Sequence, residues 1–276
     1  MATRTDKIAR RVRLATKHAR QRIGQVDQAD HPVMFILGCQ RSGTTMLSEA
    51  FERDPAVRVY GELGEMFSEE IANHRLRPTD DVRRRLDANH AGLSVLKPLV
   101  ESQRTHELLD DFTGSRGVWL YRHFDDVASS NLRRFGVDNG QSNLDRLLSG
   151  QAGDWRADRV SDHVQDTAER LRAEIQDPHD PAAIFWWCRN ALWFEQDLSA
   201  EPRVMLCRYE TLVQDPLTTI HDIYDHAGMR FPGPSVIEAF HTRSVGRAGS
   251  LPLAPAIRAA CDEMLARLEA AGAAAS

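Results

Sequence analysis

The stretch VMFILGCQRSGTT, residues 33–45, contains the pattern that decides the fold. Its first five residues are all apolar, which is typical of a parallel strand buried on both faces. Gly38 and Gly43 then have the Gly-x-x-x-x-Gly spacing of a phosphate-binding loop, and a helical pattern begins at Thr44. This order of elements suits an anion, because backbone N–H groups and the positive end of the helix converge on it. We call residues 38–45 the anion loop.

The rest of the chain alternates apolar runs with helical patterns. Four further runs predict strands at Val57–Tyr60, Leu93–Leu96, Val118–Tyr121 and Val204–Cys207. Helices are predicted over Thr44–Arg53, Thr79–Asn89 and about 101–112, 124–134, 216–227 and 255–270. The Ala-rich tail after Ala270 is expected to fray. The alternation predicts an α/β fold, with a P-loop-type, mostly parallel sheet and helices on both faces.

We expect residues 31–276 to form one α/β domain with a helical insertion at about 140–199, where no strand pattern occurs. A basic helical extension is predicted over residues 1–30, because residues 4–22 are rich in Lys and Arg. Its apolar residues recur at helical spacing. The sequence favours a surface helix packed on the domain edge, since few of these residues are bulky. The alternative is contact with an acidic membrane.

The composition argues against several classes of function. The formal net charge of −5 argues against nucleic acid as a partner. The four cysteines form no CxxC pair, which argues against zinc and indicates small core residues in a reducing compartment. Neither a signal peptide nor a membrane-spanning stretch is found, so we expect a cytoplasmic protein. The oligomeric state stays open, a homo-oligomer included.

Cations rather than carboxylates stand at the predicted strand ends. Lys97, Arg122 and Arg208 each end or follow a strand, and parallel strands place their carboxyl ends at one edge of the sheet. A Mg²⁺-dependent kinase or ATPase would need a carboxylate there. Thr44 also replaces the lysine that nucleotide triphosphatases place in the loop, whereas Arg41 supplies a cation earlier. The sequence therefore predicts an anion site without a metal.

This combination resembles the sulfotransferases that use 3′-phosphoadenosine 5′-phosphosulfate (PAPS), most closely their bacterial and tyrosylprotein-like branch. The resemblance implies that the 5′-phosphosulfate is held by Arg41, Ser42, Gly43, Thr44 and Thr45. It implies that Arg122 and Ser130, eight residues apart, hold the 3′-phosphate. Asp126 also fits the pattern, and Arg134 matches a further basic contact. The family's usual Asp-Pro or Asn-Pro after the arginine is replaced here by His123 and Phe124.

A third match lies near the C-terminus. The segment from Arg208 to Pro216 resembles the family's Tyr-Glu-x-Leu-Val-x-Asp-Pro segment, which implies that Tyr209 lies by the nucleotide. The alternative for Tyr209 is a core aromatic. The segment from Arg243 to Gly249 resembles the basic loop that covers the nucleotide, through Arg247, although a solvated turn is an equal alternative.

The resemblance also implies catalytic residues. Glu62 follows Arg41 by 21 residues, the family spacing for a catalytic glutamate, and is preferred over Glu65 as the general base. Arg41 and Lys97 would stabilise charge on the sulfuryl and leaving-group oxygens, although Lys97 could serve structure alone. The expected product is adenosine 3′,5′-bisphosphate (PAP). The expected acceptor is a hydroxyl of a small molecule, a glycan or a lipid, in a pocket shaped by residues 62–92 and 140–199.

Two other functions stay open. One is a P-loop kinase or other NTP-dependent enzyme, against which the missing loop lysine and the cationic strand ends argue. The other is a non-catalytic module that binds PAP, against which the presence of Glu62 and Lys97 argues. The aromatic residues at helical spacing are expected in the core rather than in an acceptor pocket; they are Trp186, Trp187, Trp193 and Phe194.

Overall fold

The fold is built on a five-stranded parallel sheet. The computed structural model describes residues 12, 14–19, 21, 32–62, 64–68, 74–238 and 240–274. The strands are β1 (Val33–Gly38), β2 (Val57–Tyr60), β3 (Leu93–Leu96), β4 (Arg116–Tyr121) and β5 (Val204–Arg208). Their order is β2-β3-β1-β4-β5, and every pairing is parallel. The chain leaves β1 towards β2 and later crosses to β4, so the anion loop lies where the winding of the sheet reverses.

Helices cover the sheet on both faces, which confirms the predicted α/β class. They are α1 (Thr44–Arg53), α2 (Thr79–Asp87), α3 (Thr105–Asp111), α4 (Phe124–Phe135), α5 (Asp138–Leu148), α6 (Asp162–Arg172), α7 (Asp180–Glu195), α8 (Tyr209–Gln214), α9 (Pro216–His226) and α10 (Pro255–Ala274). Short 3₁₀ turns cover Leu99–Arg104, Leu198–Ala200 and Pro234–Ile237. As predicted, the insertion contains only helices, namely α5, α6 and α7.

Three elements differ from the prediction. The helix expected at about 101–112 begins as a 3₁₀ turn, since Pro98 restricts the chain just before it. Helix α8 directly follows β5 and has no counterpart in the prediction. Helix α10 continues to Ala274 instead of fraying. Alanine is the best helix former, and the end of α10 packs near Leu206 and Tyr121 at Gly272.

Strand β1 explains why the anion loop is rigidly placed. Phe35 and Leu37 face one apolar core, which includes α4, α7 and α10, whereas Met34 and Ile36 face the other, formed with α1 and α9. All four side chains are fully buried. Both faces of β1 are therefore fixed by packing right up to the loop.

The described part of the N-terminal extension contacts the domain through polar side chains. Lys17 Nζ donates to the Glu52 carbonyl (2.9 Å), and Gln21 Nε2 donates to the Val57 carbonyl (3.1 Å). Val12, by contrast, is 61% exposed, so this part of the apolar stripe does not face the domain. The other residues of the predicted basic stretch, such as Arg4 and Ile8, lie outside the described residues. Within the described part of the chain, no helix is long and apolar enough to cross a membrane.

Candidate active site

The anion loop depends on two glycines with positive φ. At Gly38 (φ 110°), a Cβ would lie 2.3 Å from the Leu120 carbonyl oxygen, which fixes the loop against β4. At Gly43 (φ 90°), a Cβ would lie 2.1 Å from the ring of Tyr209. Only glycine permits these approaches. The Gly38 N–H also donates to Ser102 Oγ (3.0 Å), so the loop is held from the β3 side as well.

Arg41 crosses from the loop to α4. Its backbone is left-handed (φ 69°), and its Nε donates to Ser130 Oγ (3.1 Å). Burial lowers the pKa of the Arg41 guanidinium, and the nearby charges of Arg134 and Arg122 lower it further. An arginine nevertheless stays protonated in proteins, so several positive charges are held close together around the loop. Such a cluster favours binding of an anion with more than one charge.

Lys97 joins the loop to Glu62. Its Nζ donates to Thr45 Oγ1 (3.2 Å) and lies 3.4 Å from Glu62 Oε1. The Glu62 side chain is 37% exposed and reachable from solvent. The other candidate base, Glu65, instead lies 3.5 Å from Arg58 Nη2. The structure thus brings Glu62, and not Glu65, to the lysine beside the anion loop.

Arg122 is the centre of a buried cluster on the opposite side of β1. Its Nη2 lies 3.0 Å from Asp126 Oδ2 and also donates to the Ser244 carbonyl. Its guanidinium stacks on Tyr209, 4.5 Å from the ring centroid, and its own carbonyl accepts from Trp186 Nε1 (2.9 Å). The Nε of Arg122 is buried and has no hydrogen-bond partner among the described residues.

A loop near the C-terminus closes over this cluster. Asp126 accepts the backbone N–H groups of Gly246 (2.8 Å) and Ala248 (3.0 Å), one on each carboxylate oxygen. The Tyr209 hydroxyl is hydrogen-bonded to Ser244 Oγ. We call residues 242–249 the closing loop. It is therefore tied to α4 and to the residue that packs on Gly43.

The sequence and the fold of the chain were compared with known proteins. The model of the sulfotransferase family matches residues 32–111, which include the anion loop, Glu62 and Lys97. Over these residues the chain is similar to that family. No curated protein matches its sequence.

Two solved structures of sulfotransferases share the fold. A sulfotransferase from Alicyclobacillus acidocaldarius is 16% identical, with a TM-score of 0.50 over 88% of this chain and 96% of that one. The sulfotransferase domain from the curacin biosynthetic pathway is 15% identical, with a TM-score of 0.50 over 88% of this chain and 99% of that domain.

Not every predicted cation lies in the site. Arg208 instead pairs with Glu210 (3.2 Å) and with Glu269 of α10 (2.8 Å). The side chains of Arg134 and Arg247 are exposed, although Arg134 is close enough to affect the pKa of Arg41. Ser42 is fully buried, and its Oγ has no hydrogen-bond partner among the described residues.

The departure at His123 is compensated locally. The ring of His123 accepts the Asp125 N–H and so caps α4, while the His123 N–H donates to Glu210 Oε1 (3.1 Å). The family's proline corresponds to Phe124, the first residue of α4, where a proline would preset the helical backbone. The start of α4, next to Arg122, is therefore capped without the family's proline.

Ser244 and Ser102 are site residues that the sequence reasoning did not single out. Ser244 lies inside the segment that resembles the family's closing loop, and that resemblance was the available signal. Nothing local marks Ser102, whose contact with Gly38 depends on the fold.

The aromatic residues of α7 belong to the core, as expected, because Trp186, Trp187 and Trp193 are buried. Burial raises the pKa of the Cys39 thiol to about 12, so this loop residue adds no negative charge near neutral pH. The described residues contain no group of three or more side chains suited to a metal ion.

Proposed function

We propose that the protein transfers the sulfuryl group of PAPS to a hydroxyl acceptor, with Glu62 as the general base. The contact that carries this proposal is Lys97 Nζ, which lies between Thr45 Oγ1 (3.2 Å) and Glu62 Oε1 (3.4 Å). A base and a cation thus meet at the start of α1, where backbone N–H groups favour an anion. This is the arrangement that sulfuryl transfer to an alcohol requires.

Two parts of the site suit the two anionic ends of PAPS. The anion loop would hold the 5′-phosphosulfate with its N–H groups, Thr45 and the buried hydroxyl of Ser42. The Arg122 cluster would hold the 3′-phosphate through the unpartnered Nε of Arg122, with Ser130 beside it. Buried polar groups without partners are rare in folded proteins, and a ligand that bonds to them accounts for their presence.

The reaction is an in-line displacement at sulfur. The acceptor oxygen forms a bond to sulfur while the bond from sulfur to the 5′-phosphate oxygen breaks, and the acceptor proton passes to Glu62. Arg41, Lys97 and the loop N–H groups would stabilise the charge that develops on the sulfuryl and phosphate oxygens. Lys97 would also hold Glu62 directed towards the loop, because its ammonium lies 3.4 Å from the carboxylate.

Thermal unfolding with different nucleotides tests the donor. We expect PAP to raise Tm more than ADP or ATP, with or without Mg²⁺, because a ligand that binds only the folded state stabilises it. In Arg122→Ala the response to PAP should be lost. Arg116→Ala is the control, since Arg116 lies at the start of β4, at the opposite end of the strand that Arg122 follows. An equal response to ATP, or a full response to PAP in Arg122→Ala, would refute the proposed donor.

A further inference from the structure

A small pocket of about 170 Å³ adjoins the anion loop on the side of α4. Gln40 and Asn131 line it, and they are the chain neighbours of Arg41 and Ser130, which are hydrogen-bonded to each other. Phe135 also lines the pocket, and its ring centroid lies 5.8 Å from Arg41 Cζ. The pocket therefore lies directly beside the proposed sulfuryl site.

The back of the pocket is a rigid aromatic wall. Trp155 and Phe185 are 6% and 5% exposed, and their ring centroids lie 6.2 Å apart in an edge-to-face arrangement. The Trp155 ring carries two guanidinium contacts, from Arg156 (4.3 Å) and from Arg189 (5.2 Å). A wall fixed in this way selects ligands by size and shape.

Two amide oxygens of the lining residues lack hydrogen-bond donors. Gln40 Oε1 and Asn131 Oδ1 are buried, and neither has a partner among the described residues. Leaving a buried acceptor unpaired is costly, and Asn131 is only 8% exposed. In contrast, Asn139 Oδ1, in the same wall, accepts from Asn143 Nδ2 (3.1 Å). The free acceptors thus lie on the side of the pocket nearest the anion loop.

The pocket offers no unpaired charge. Arg156 is bonded to Asp154 Oδ1 (3.1 Å) and to Asn143 Oδ1 (2.6 Å), so its charge is already paired with a carboxylate. Val127, Ala182 and Phe185 make much of the remaining surface apolar. An apolar cavity of about 150 Å³ holds one benzene ring. The size and chemistry therefore suit a single uncharged ring.

We propose that this pocket seats the acceptor, and that the acceptor is an uncharged single-ring diol. One hydroxyl is sulfated, and the second donates to Gln40 Oε1 or Asn131 Oδ1. A sugar would leave several hydroxyls unpaired against the apolar wall, which disfavours it. The assignment of the acceptor rests on the proposed function, whereas ring binding itself does not.

Binding of resorcinol and of its monomethyl ether tests the proposal. The two rings differ in one hydrogen-bond donor and one methyl group, so titration calorimetry on the full chain, with and without PAP, isolates the second hydroxyl only when wild type is compared with the amide variants. We expect wild type to bind resorcinol about 3- to 10-fold more tightly, the range for a neutral hydrogen bond. The preference should fall in Asn131→Leu or in Gln40→Leu. Asn139→Leu, which removes an amide that is already paired, should keep the preference.

Three results would overturn the proposal: equal binding of the two rings by wild type, a preference kept in both variants, or tighter binding of a disaccharide than of resorcinol. Asn131→Leu and Asn139→Leu should keep the Tm response to PAP, which shows that the fold and the anion loop are intact. Selective ring binding without any response to PAP would refute the proposed donor while supporting the pocket.

Discussion

The carboxylates that lie on the two sides of β1 are held in very different ways. Next to β4, the carboxylate of Asp126 is 3% exposed and accepts from Arg122 and from two backbone N–H groups. Next to β3, the carboxylate of Glu62 is 37% exposed and meets Lys97 at 3.4 Å. The β4 side is already ordered by these hydrogen bonds without a ligand, which favours tight binding. The β3 side leaves its carboxylate accessible, which a base needs in order to receive a proton.

The largest effect is expected from Glu62→Gln. Glutamine keeps the size of the side chain but accepts no proton, so kcat should fall by about 10²- to 10⁴-fold. The affinity for PAP should change little, because the Arg122 side is untouched. Sulfuryl transfer from radiolabelled PAPS to resorcinol measures the first quantity, and calorimetry with PAP measures the second.

Glu65→Gln is the matched control for that change. Glu65 is on the same segment but pairs with Arg58, so kcat should stay near that of wild type. If Glu65→Gln loses turnover and Glu62→Gln keeps it, the base has been assigned to the wrong carboxylate.

A smaller effect is expected from Asp126→Asn, which breaks the other side of the comparison. The amide cannot accept all three hydrogen bonds that the carboxylate accepts, so the closing loop loses its anchor. We expect about tenfold weaker binding of PAP, the scale of a hydrogen bond to a charged group. With saturating PAPS, kcat should be nearly unchanged.

The control here is Asp125→Asn. Asp125 accepts the Leu251 N–H and pairs with Arg258, outside the closing loop, so its loss should affect Tm more than the affinity for PAP. If both variants weaken PAP equally, the anchor is not specific to Asp126.

The smallest effect concerns a carboxylate remote from both sides. Hydrogen bonds from Arg203 lower the pKa of Glu201 to about 2. Because this pKa is depressed in the folded state, the stability it contributes is present above the ordinary value of about 4.5 and is lost as pH falls towards 2. Glu201→Gln should lower Tm by about 2–4 °C at pH 7 and by less at pH 3.

Activity of Glu201→Gln at neutral pH should match wild type. A pH profile of turnover that changes in this variant would show that the acid loss of activity depends on the stability of the fold.

The features that could be predicted from the sequence are those whose residues lie close together in the chain. The anion loop follows one apolar strand, and Arg122 and Ser130 share one strand-to-helix segment, so their proximity needs little of the remaining fold. The pairing of Arg208 could not be predicted, because its partner Glu269 lies on α10, far along the chain. The hydrogen bond from the Gly246 N–H to Asp126 also joins distant segments, and only tertiary packing brings them together.

The contact between Gly43 and the Tyr209 ring has a consequence for synthesis of the chain. Tyr209 and its partner Ser244 are each separated from Gly43 by more than half of the sequence. While the chain emerges from the ribosome, β1 and the anion loop are made early but lack the ring that covers Gly43. Nascent chains that end before residue 209 therefore contain the whole anion loop but lack the Tyr209 ring that packs on it. The nucleotide site proposed above is complete only when the last third of the protein has been made and packed.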